Sequence, residues 1–491
     1  MDSNLWPWHH PPWHRWTIQL WIQLVAAVVF LISWVVLRFF HILALIKAKW
    51  WLHRKKPCSV ALSNEEGVPG VSIVKPLCSG ADANLVRNLE TFFTLNYPKF
   101  EILFCIQDQE DSRLRYFVES LIEKYPDVDA KVFSGGEVVG VNPKINNMQP
   151  AFQASQYELI LVSDSGIRMS EDTLTDMVSC MTKNVGLVHQ LPFICDKSGI
   201  AGTLEKVYFG TSHARIYLAA DVLGFNCATG MSALMRKEIL TAVGGLKAFS
   251  SYIAEDYFMA KSVLNSGFKI QVSSQPAQQN PGDSSITNFH SRITRWTKLR
   301  YAMCPGLMVF EPISDSVIQG VVCAWALFFL FRWDPVTFIM LHLLLWFIMD
   351  WALIHLVQNG PLPFSKFEFL VTWVFRELTA PCILIAAHVN PSVTWRNKRF
   401  RLKWGGVAEK VETSDPDEPS LIPITITSSA LTTTSSPSSS SSIVIPTRPM
   451  AVSMAASTAM LDGTMPVYAP LSHQGGAAEK FICKEIDTIQ S

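Results

Sequence analysis

No C-x-x-C pair and no histidine cluster at zinc spacing occurs in the chain, although ten cysteines are scattered from Cys58 to Cys483. That scatter fits neither a metal knuckle nor a disulfide framework, so the thiols read as mostly free and facing a reducing compartment. Net charge is missing as well: Lys+Arg and Asp+Glu both number 41, and charged residues make up only 17% of the sequence. Without a global basic field nothing points to nucleic acid, and local charge matters more than the total. What abounds is apolar surface. A 49% hydrophobic content and a mean hydropathy of +0.22 are high for a soluble chain of 491 residues, so apolar runs are expected in lipid.

Residues 17–46, beginning Thr17-Ile18-Gln19-Leu20-Trp21, are almost uninterruptedly apolar up to Arg38, which predicts a transmembrane helix. Lys47, Lys49, Arg54, Lys55 and Lys56 come after the run rather than before it, which excludes an ordinary signal peptide. The positive-inside rule then puts residues 1–16 in the lumen or outside, with the basic linker 47–70 and the α/β region after it in the cytosol. Trp6, Trp8, Trp13 and Trp16 suit an aromatic belt at the far interface. Further on, 314–331 and 335–357 read as a membrane hairpin turned by Arg332-Trp333-Asp334. A stretch at 367–388 holds Arg376, Glu377 and Pro381, so either it carries a paired intramembrane charge or it does not cross fully. The second reading keeps the basic juxtamembrane segment 389–411 cytosolic and is preferred. Residues 412–491, rich in Ser, Thr and Pro, are expected to be a disordered tail.

Between the first span and the hairpin, residues 71–300 alternate short β-rich runs with helical ones, the pattern of an α/β domain with a mainly parallel sheet. Strands are predicted at Val71-Ser72-Ile73-Val74, at 100–106, at Ala130-Lys131-Val132-Phe133 and at 158–162, with helices near 82–95, 111–124, 144–155 and 170–183. Ligands collect at the C-terminal ends of such strands. Two of these strands run into aspartate, in Gln107-Asp108 and in Ser163-Asp164-Ser165-Gly166. Asp108 is suited to accept hydrogen bonds from a nucleotide, and Asp164 to bind the divalent cation that neutralises a diphosphate, although a lone aspartate after a strand is commonly a turn or cap.

Asn142-Pro143-Lys144 opens a helix whose N-terminus and lysine are placed to face phosphate; a solvated lysine is the competing reading. Arg292 and Arg295, three residues apart, share one helix face where their guanidinium forks can engage a pyrophosphate beside the flat wall of Trp296. A carboxylate in Ala254-Glu255-Asp256-Tyr257 facing that cradle can serve as a general base. Taken alone, the arginine stretch equally fits a basic helix at a membrane surface. Residues 196–224 are too polar to span and are expected to lie amphipathically at the interface, which suits a lipid acceptor. On that segment His213 is a candidate acceptor contact. Cys227, just beyond it, is a second, though both side chains are more often structural.

The set Gln107-Asp108, Asp164-Ser165-Gly166, Glu255-Asp256 and Arg292-x-x-Arg295-Trp296 resembles the three-aspartate plus (Q/R)-x-x-R-W signature of inverting glycosyltransferases. More narrowly the chain resembles the ceramide glucosyltransferases, through Lys75-Pro76-Leu77, Asn142-Pro143-Lys144-Ile145-Asn146-Asn147, Gly210-Thr211-Ser212-His213, Thr229-Gly230-Met231-Ser232 and Trp296-Thr297-Lys298-Leu299-Arg300. The resemblance covers about residues 15–405. It implies a GT-A-type nucleotide-sugar domain on the cytosolic face of the Golgi membrane, with UDP-glucose as donor and ceramide as acceptor. By the same carry-over Asp256 is the base, Asp108 contacts uridine, Asp164 contacts the diphosphate and a Mg²⁺ or Mn²⁺ ion, and Arg292, Arg295 and Trp296 hold the leaving group. The usual D-x-D metal motif is Asp164-Ser165-Gly166 here, so one of its carboxylates is missing. A processive polysaccharide synthase and an inactive membrane scaffold are the alternatives. The few spans speak against the first, and the full set of charges against the second.

Overall fold

The computed structural model describes residues 17–54, 67–282, 284–395 and 398–411. The expected lumenal N-terminus, the middle of the basic linker and the Ser/Thr-rich tail lie outside them. The chain begins with α1 (Ile18–Trp51), whose apolar length runs five residues beyond the expected end and brings Lys47, Lys49 and Trp50 into the helix. Then β1 (Val71–Leu77), α2 (Leu85–Phe93), β2 (Phe100–Ile106), α3 (Ser112–Lys124), β3 (Ala130–Ser134), α4 (Pro143–Ala154) and β4 (Leu159–Ser163) alternate as the sequence pattern predicts. Local chemistry fixes the helix starts. Asp111 caps α3 by accepting from the Leu114 N–H, and Asn142 caps α4 through the N–H groups of Lys144 and Ile145, with Pro143 in the first turn.

After β5 (Ile167–Arg168), α5 (Thr173–Cys180), β6 (Val185–His189) and β7 (Pro192–Ile194) comes the amphipathic stretch, observed as α6 (Ile200–Tyr208), a π turn (Phe209–His213) and α7 (Ala214–Leu223). It ends at Gly224, whose φ of 73° favours a residue without Cβ. The domain closes with β8 (Ser232–Arg236), α8 (Lys237–Ala242), α9 (Glu255–Asn265), β9 (Lys269–Val272), β10 (Ala277–Gln279) and α10 (Ile286–Met303).

The main sheet has the order β3-β2-β1-β4-β8-β6-β9. Strands β1 to β4 are mutually parallel, β8 runs antiparallel to β4 and β6, and β6 and β9 are parallel. Every residue of β1 is buried, as a strand covered on both faces requires. One face packs on a core that includes Ile73, Phe92 and Phe104; the other packs on one with Val74, Leu103 and Met148. Strand order reverses between β1 and β4, so the crevice at their carboxyl ends is where an α/β sheet of this kind receives ligands. A second, three-stranded sheet, β5-β10-β7, flanks it.

Beyond α10 stand α11 (Leu307–Ile313), α12 (Ser316–Phe331), α13 (Pro335–Gln358) and α14 (Lys366–Val389). Among the described residues α1, α13 and α14 are each long and apolar enough to cross a membrane, and α11 with α12 pass that test together although bent by 79°. Asp350 of α13 gathers these helices. Its carboxylate lies 3.3 Å from Arg215 of α7, 3.1 Å from Arg376 of α14 and 3.2 Å from His41 of α1, and accepts from the Trp373 indole at 2.9 Å. Arg376 also contacts Glu377 and Thr211, so the charges that made this stretch ambiguous are paired inside the protein.

The segment expected as a basic juxtamembrane run instead forms a sheet of β11 (Ser392–Trp395), β12 (Lys398–Leu402) and β13 (Ala408–Lys410). Buried Phe400 and Leu402 alternate with exposed Arg399 and Arg401, a period-2 pattern hidden among the charges. The sheet packs on α10 and the domain through Lys298 to the Ser392 carbonyl at 3.0 Å and Ala408 N–H to Ser251 at 2.9 Å. It is therefore docked on the α/β domain.

Candidate active site

Strand β2 delivers Asp108 exposed at its end, with Oδ1 accepting from the Glu110 N–H at 3.0 Å as in an Asx turn. Asp164 comes directly after β4, two strands away with β1 between. Its N–H donates to the Met231 carbonyl at 2.9 Å, and its own carbonyl accepts from the buried Lys75 ammonium at 2.8 Å. Burial pulls Lys75 down to about 7, against the opposing pull of Asp164.

Lys144 joins the acidic groups. Its ammonium lies 3.0 Å from Asp164 Oδ1 and 3.0 Å from Glu255 Oε1, and donates to the Gly230 carbonyl at 3.3 Å. Burial opposes its charge, but Asp164, Glu255 and Asp256 outweigh that and hold it above its ordinary range. The lysine is therefore a buried bridge between carboxylates rather than a solvated side chain. Glu255 is occupied on both oxygens, since Oε2 accepts from Asn142 Nδ2 at 2.9 Å. Asp256, in the first turn of α9, accepts the Gly230 N–H at 2.8 Å and its neighbour Tyr257's N–H at 2.8 Å. Desolvation and the adjacent Glu255 charge push its carboxyl up to about 6 in spite of Lys144 and those two donors. A carboxylate so tuned is ionised at neutral pH yet more basic than an ordinary aspartate.

On the opposite side α10 presents Arg292, which donates to Gln279 Oε1 at 2.6 Å and lies 4.6 Å from the centre of the Trp296 ring. Arg295 is partly buried one turn on. Trp296 stands between this guanidinium and His213, whose ring is 6.1 Å away. His213 is buried and stacked on Tyr217 at 4.2 Å; burial, with Arg300 and Arg292 nearby, keeps it well below the usual imidazole range and so neutral. Tyr217 hydrogen-bonds Cys227, whose thiol burial pushes up to about 12, so Cys227 is an inert thiol at neutral pH.

Two groups emerge: Asp164, Lys144, Glu255 and Asp256 form one ion-paired cluster, while Arg292, Trp296, His213, Tyr217 and Cys227 line the other side. Gly230 and Met231 link them, because the Gly230 backbone binds Asp256 and Lys144 while Arg292 reaches the Met231 side-chain sulfur at 3.6 Å. Gly230 was legible only as part of a family string. A Cβ there would stand 2.9 Å from Asp256 Cβ, so glycine permits the approach. Tyr217, Gln279 and Lys75 were not singled out as site residues. For Tyr217 the signal was its place four residues after His213 on one helix face. Gln279 and Lys75 gave none, because their partners come from distant segments.

Among the described residues no group of three or more His, Cys, Asp or Glu side chains is arranged to hold a metal. Asp164, with 40% of its side chain exposed, is one accessible carboxylate. That donor set fits a Mg²⁺ or Mn²⁺ ion that takes most of its ligands from a diphosphate and water, and does not fit an all-protein cage.

Acidic strand ends face a basic helix in one α/β domain, and helices apolar and long enough to cross a membrane pack on it. The glycosyl transferase family 21 model matches residues 36–408, and the chain belongs to that family. It is 44% identical over 394 residues to Ceramide glucosyltransferase 3 of Caenorhabditis elegans, covering 80% of this chain and 84% of the relative. Ceramide glucosyltransferase 1 of the same organism is 43% identical over 373 residues, covering 76% and 78%. The Ceramide glucosyltransferase of Komagataella phaffii is 25% identical over 431 residues, covering 70% and 84%. Against the solved mannosyltransferase PcManGT from Pyrobaculum calidifontis, in complex with GDP-Man and Mn²⁺, the TM-score is 0.41 at 18% identity, covering 75% of this chain and 98% of that one.

Proposed function

We propose that the protein transfers glucose from UDP-glucose to the primary hydroxyl of ceramide with inversion, forming β-glucosylceramide and so opening glycosphingolipid synthesis. The observation that carries this reading is Asp256, a raised carboxylate held by two backbone N–H groups at the edge of the acidic cluster, in a chain 44% identical to a protein named for that reaction. The names of the relatives favour neither a polysaccharide synthase nor a scaffold.

In the proposed step the ceramide hydroxyl oxygen attacks the anomeric carbon as the bond to the UDP oxygen breaks. The electron pair leaves with UDP and the hydroxyl proton passes to Asp256. Proton removal of this kind contributes typically ~10²–10⁴-fold. Arg292 and Arg295 stabilise the departing diphosphate, and Trp296 walls the sugar side. Asp108 contacts the uridine. Lys144 holds Asp164 and Glu255 in place, which fixes the start of α9 and hence the base. A Mg²⁺ or Mn²⁺ ion bound with the donor would be held by Asp164 and would supply charge neutralisation at the diphosphate. His213, Tyr217 and Cys227 form the acceptor wall, with His213 as neutral hydrogen-bonding group.

The cations after α1's apolar stretch, Lys47, Lys49 and Arg54, support a cytosolic domain, and the role supports a Golgi membrane. Membranes carrying the protein, given UDP-glucose and ceramide, are expected to yield glucosylceramide with a β anomeric proton by NMR. An α-linked product, or free glucose alone, contradicts the reading.

A further inference from the structure

A groove with a cavity volume of about 940 Å³ opens on the side of the small sheet away from the candidate active site. The register of β10 separates the two: Gln279 is buried and accepts from Arg292, while its neighbour Gln278 is exposed and lines the groove. The groove is walled by Arg87 of α2, Arg168 of β5, Lys197 after β7 and Lys206 of α6, and by His53 and Gln358 at the ends of α1 and α13.

Among the described residues the charge lining this groove is unbalanced. Of its acidic residues, Asp196 is held by Lys206 at 2.6 Å, and Glu90 is held by Lys124 at 2.6 Å and the Tyr125 hydroxyl at 2.9 Å. Arg87 and Arg168 are exposed, and among the described residues neither pairs with a carboxylate. Two guanidinium forks facing one polar cleft are suited to a phosphate, which each can engage bidentately.

Depth selects the source of that phosphate. His53 Nε2 lies 2.9 Å from the Val357 carbonyl, so α1 and α13 end together at the groove. Around it the exposed Trp50 carries Lys49 at 5.9 Å and Arg54 at 4.9 Å, a pairing of cations and an aromatic ring of the kind that marks the edge of hydrocarbon. A cleft opening at that level meets lipid headgroups.

We propose that the groove binds the phosphate headgroup of an anionic phospholipid from the leaflet on which the α/β domain rests. The proposal depends on the membrane placement of α1 and α13 and not on the sugar-transfer reading. Its binding test is independent of turnover.

The full chain in phosphatidylcholine nanodiscs, titrated with short-chain phosphatidic acid and read by native mass spectrometry, tests it. Phosphatidic acid is expected to bind in preference to short-chain phosphatidylcholine, with affinity falling at least about 10-fold in Arg87→Ala/Arg168→Ala. Both arginines are exposed, so the double variant is expected to unfold at the wild-type temperature. Lys269→Ala, an exposed cation on β9, should bind as wild type does. Undiminished binding by the double variant, equal loss in Lys269→Ala, or no preference over phosphatidylcholine overturns the proposal. Complete displacement by equimolar inorganic phosphate overturns the lipid source, leaving a soluble-phosphate site.

Discussion

The Gly230 N–H donates to Asp256 Oδ2 at 2.8 Å, and a Cβ on Gly230 would lie 2.9 Å from Asp256 Cβ. The same glycine accepts from Lys144, so the base and the cation that steadies its helix are both set against one residue without a side chain. Gly230→Ala is therefore expected to lower turnover at least about 10-fold by displacing Asp256, since small misplacement of a reacting group costs up to ~10²-fold. UDP binding, measured by calorimetry on the folded variant, should stay within about 3-fold of wild type. Wild-type turnover in Gly230→Ala would show that the close approach does not position the base.

The acid limb of the rate profile should report Asp256. Its carboxyl, pushed up to about 6, is protonated below that pH and cannot accept the ceramide proton; above it the carboxylate is free to act. kcat/KM is expected to fall about tenfold per pH unit below about 6 and to level above it. A limb near the ordinary aspartate value of about 4 would mean that a less perturbed carboxylate is the base.

Asp350 tests the membrane assembly. Asp350→Ala leaves Arg215 and Arg376 buried without their shared carboxylate, and breaking a buried pair typically costs about 3–5 kcal/mol. Thermal unfolding in detergent should show a clear loss of stability. An unchanged midpoint would mean that water or lipid already satisfies these arginines.

For the acceptor wall, His213→Ala removes the ring stacked on Tyr217 and next to Trp296. The KM for ceramide is expected to rise about 10-fold or more, consistent with loss of a buried packing and hydrogen-bonding contact, while that for UDP-glucose changes little. The opposite split, with donor KM raised alone, would move His213 to the nucleotide side.

Much of the fold was legible because it is local. The runs at 100–106 and 130–133 are strands β2 and β3 almost to the residue, and Asn142-Pro143 announces α4 by its cap. The loci of Asp108, Asp164 and Asp256 came from strand ends and a family signature. What sequence could not supply is cross-segment pairing: that Lys144 bridges Asp164 and Glu255, 20 and 111 residues away in the chain, rather than pointing to solvent. The β11–β13 sheet was missed for a related reason, because its alternation of two buried residues is short and sits among cations. Arg376 and Glu377 made a crossing ambiguous because the sequence does not show that Asp350, on another helix, pairs with Arg376 while Arg376 also holds Glu377.

The most direct measurement of the central claim is turnover of Asp256→Asn beside Glu255→Gln, with UDP-glucose and ceramide saturating and UDP binding checked on each. Asn keeps the shape and removes the proton acceptor, so Asp256→Asn should lose ~10²-fold or more in kcat with UDP bound nearly as before. Glu255→Gln weakens the Lys144 bridge yet leaves the base in place and should retain more activity. An active Asp256→Asn together with a dead Glu255→Gln would contradict the account and make Glu255 the base.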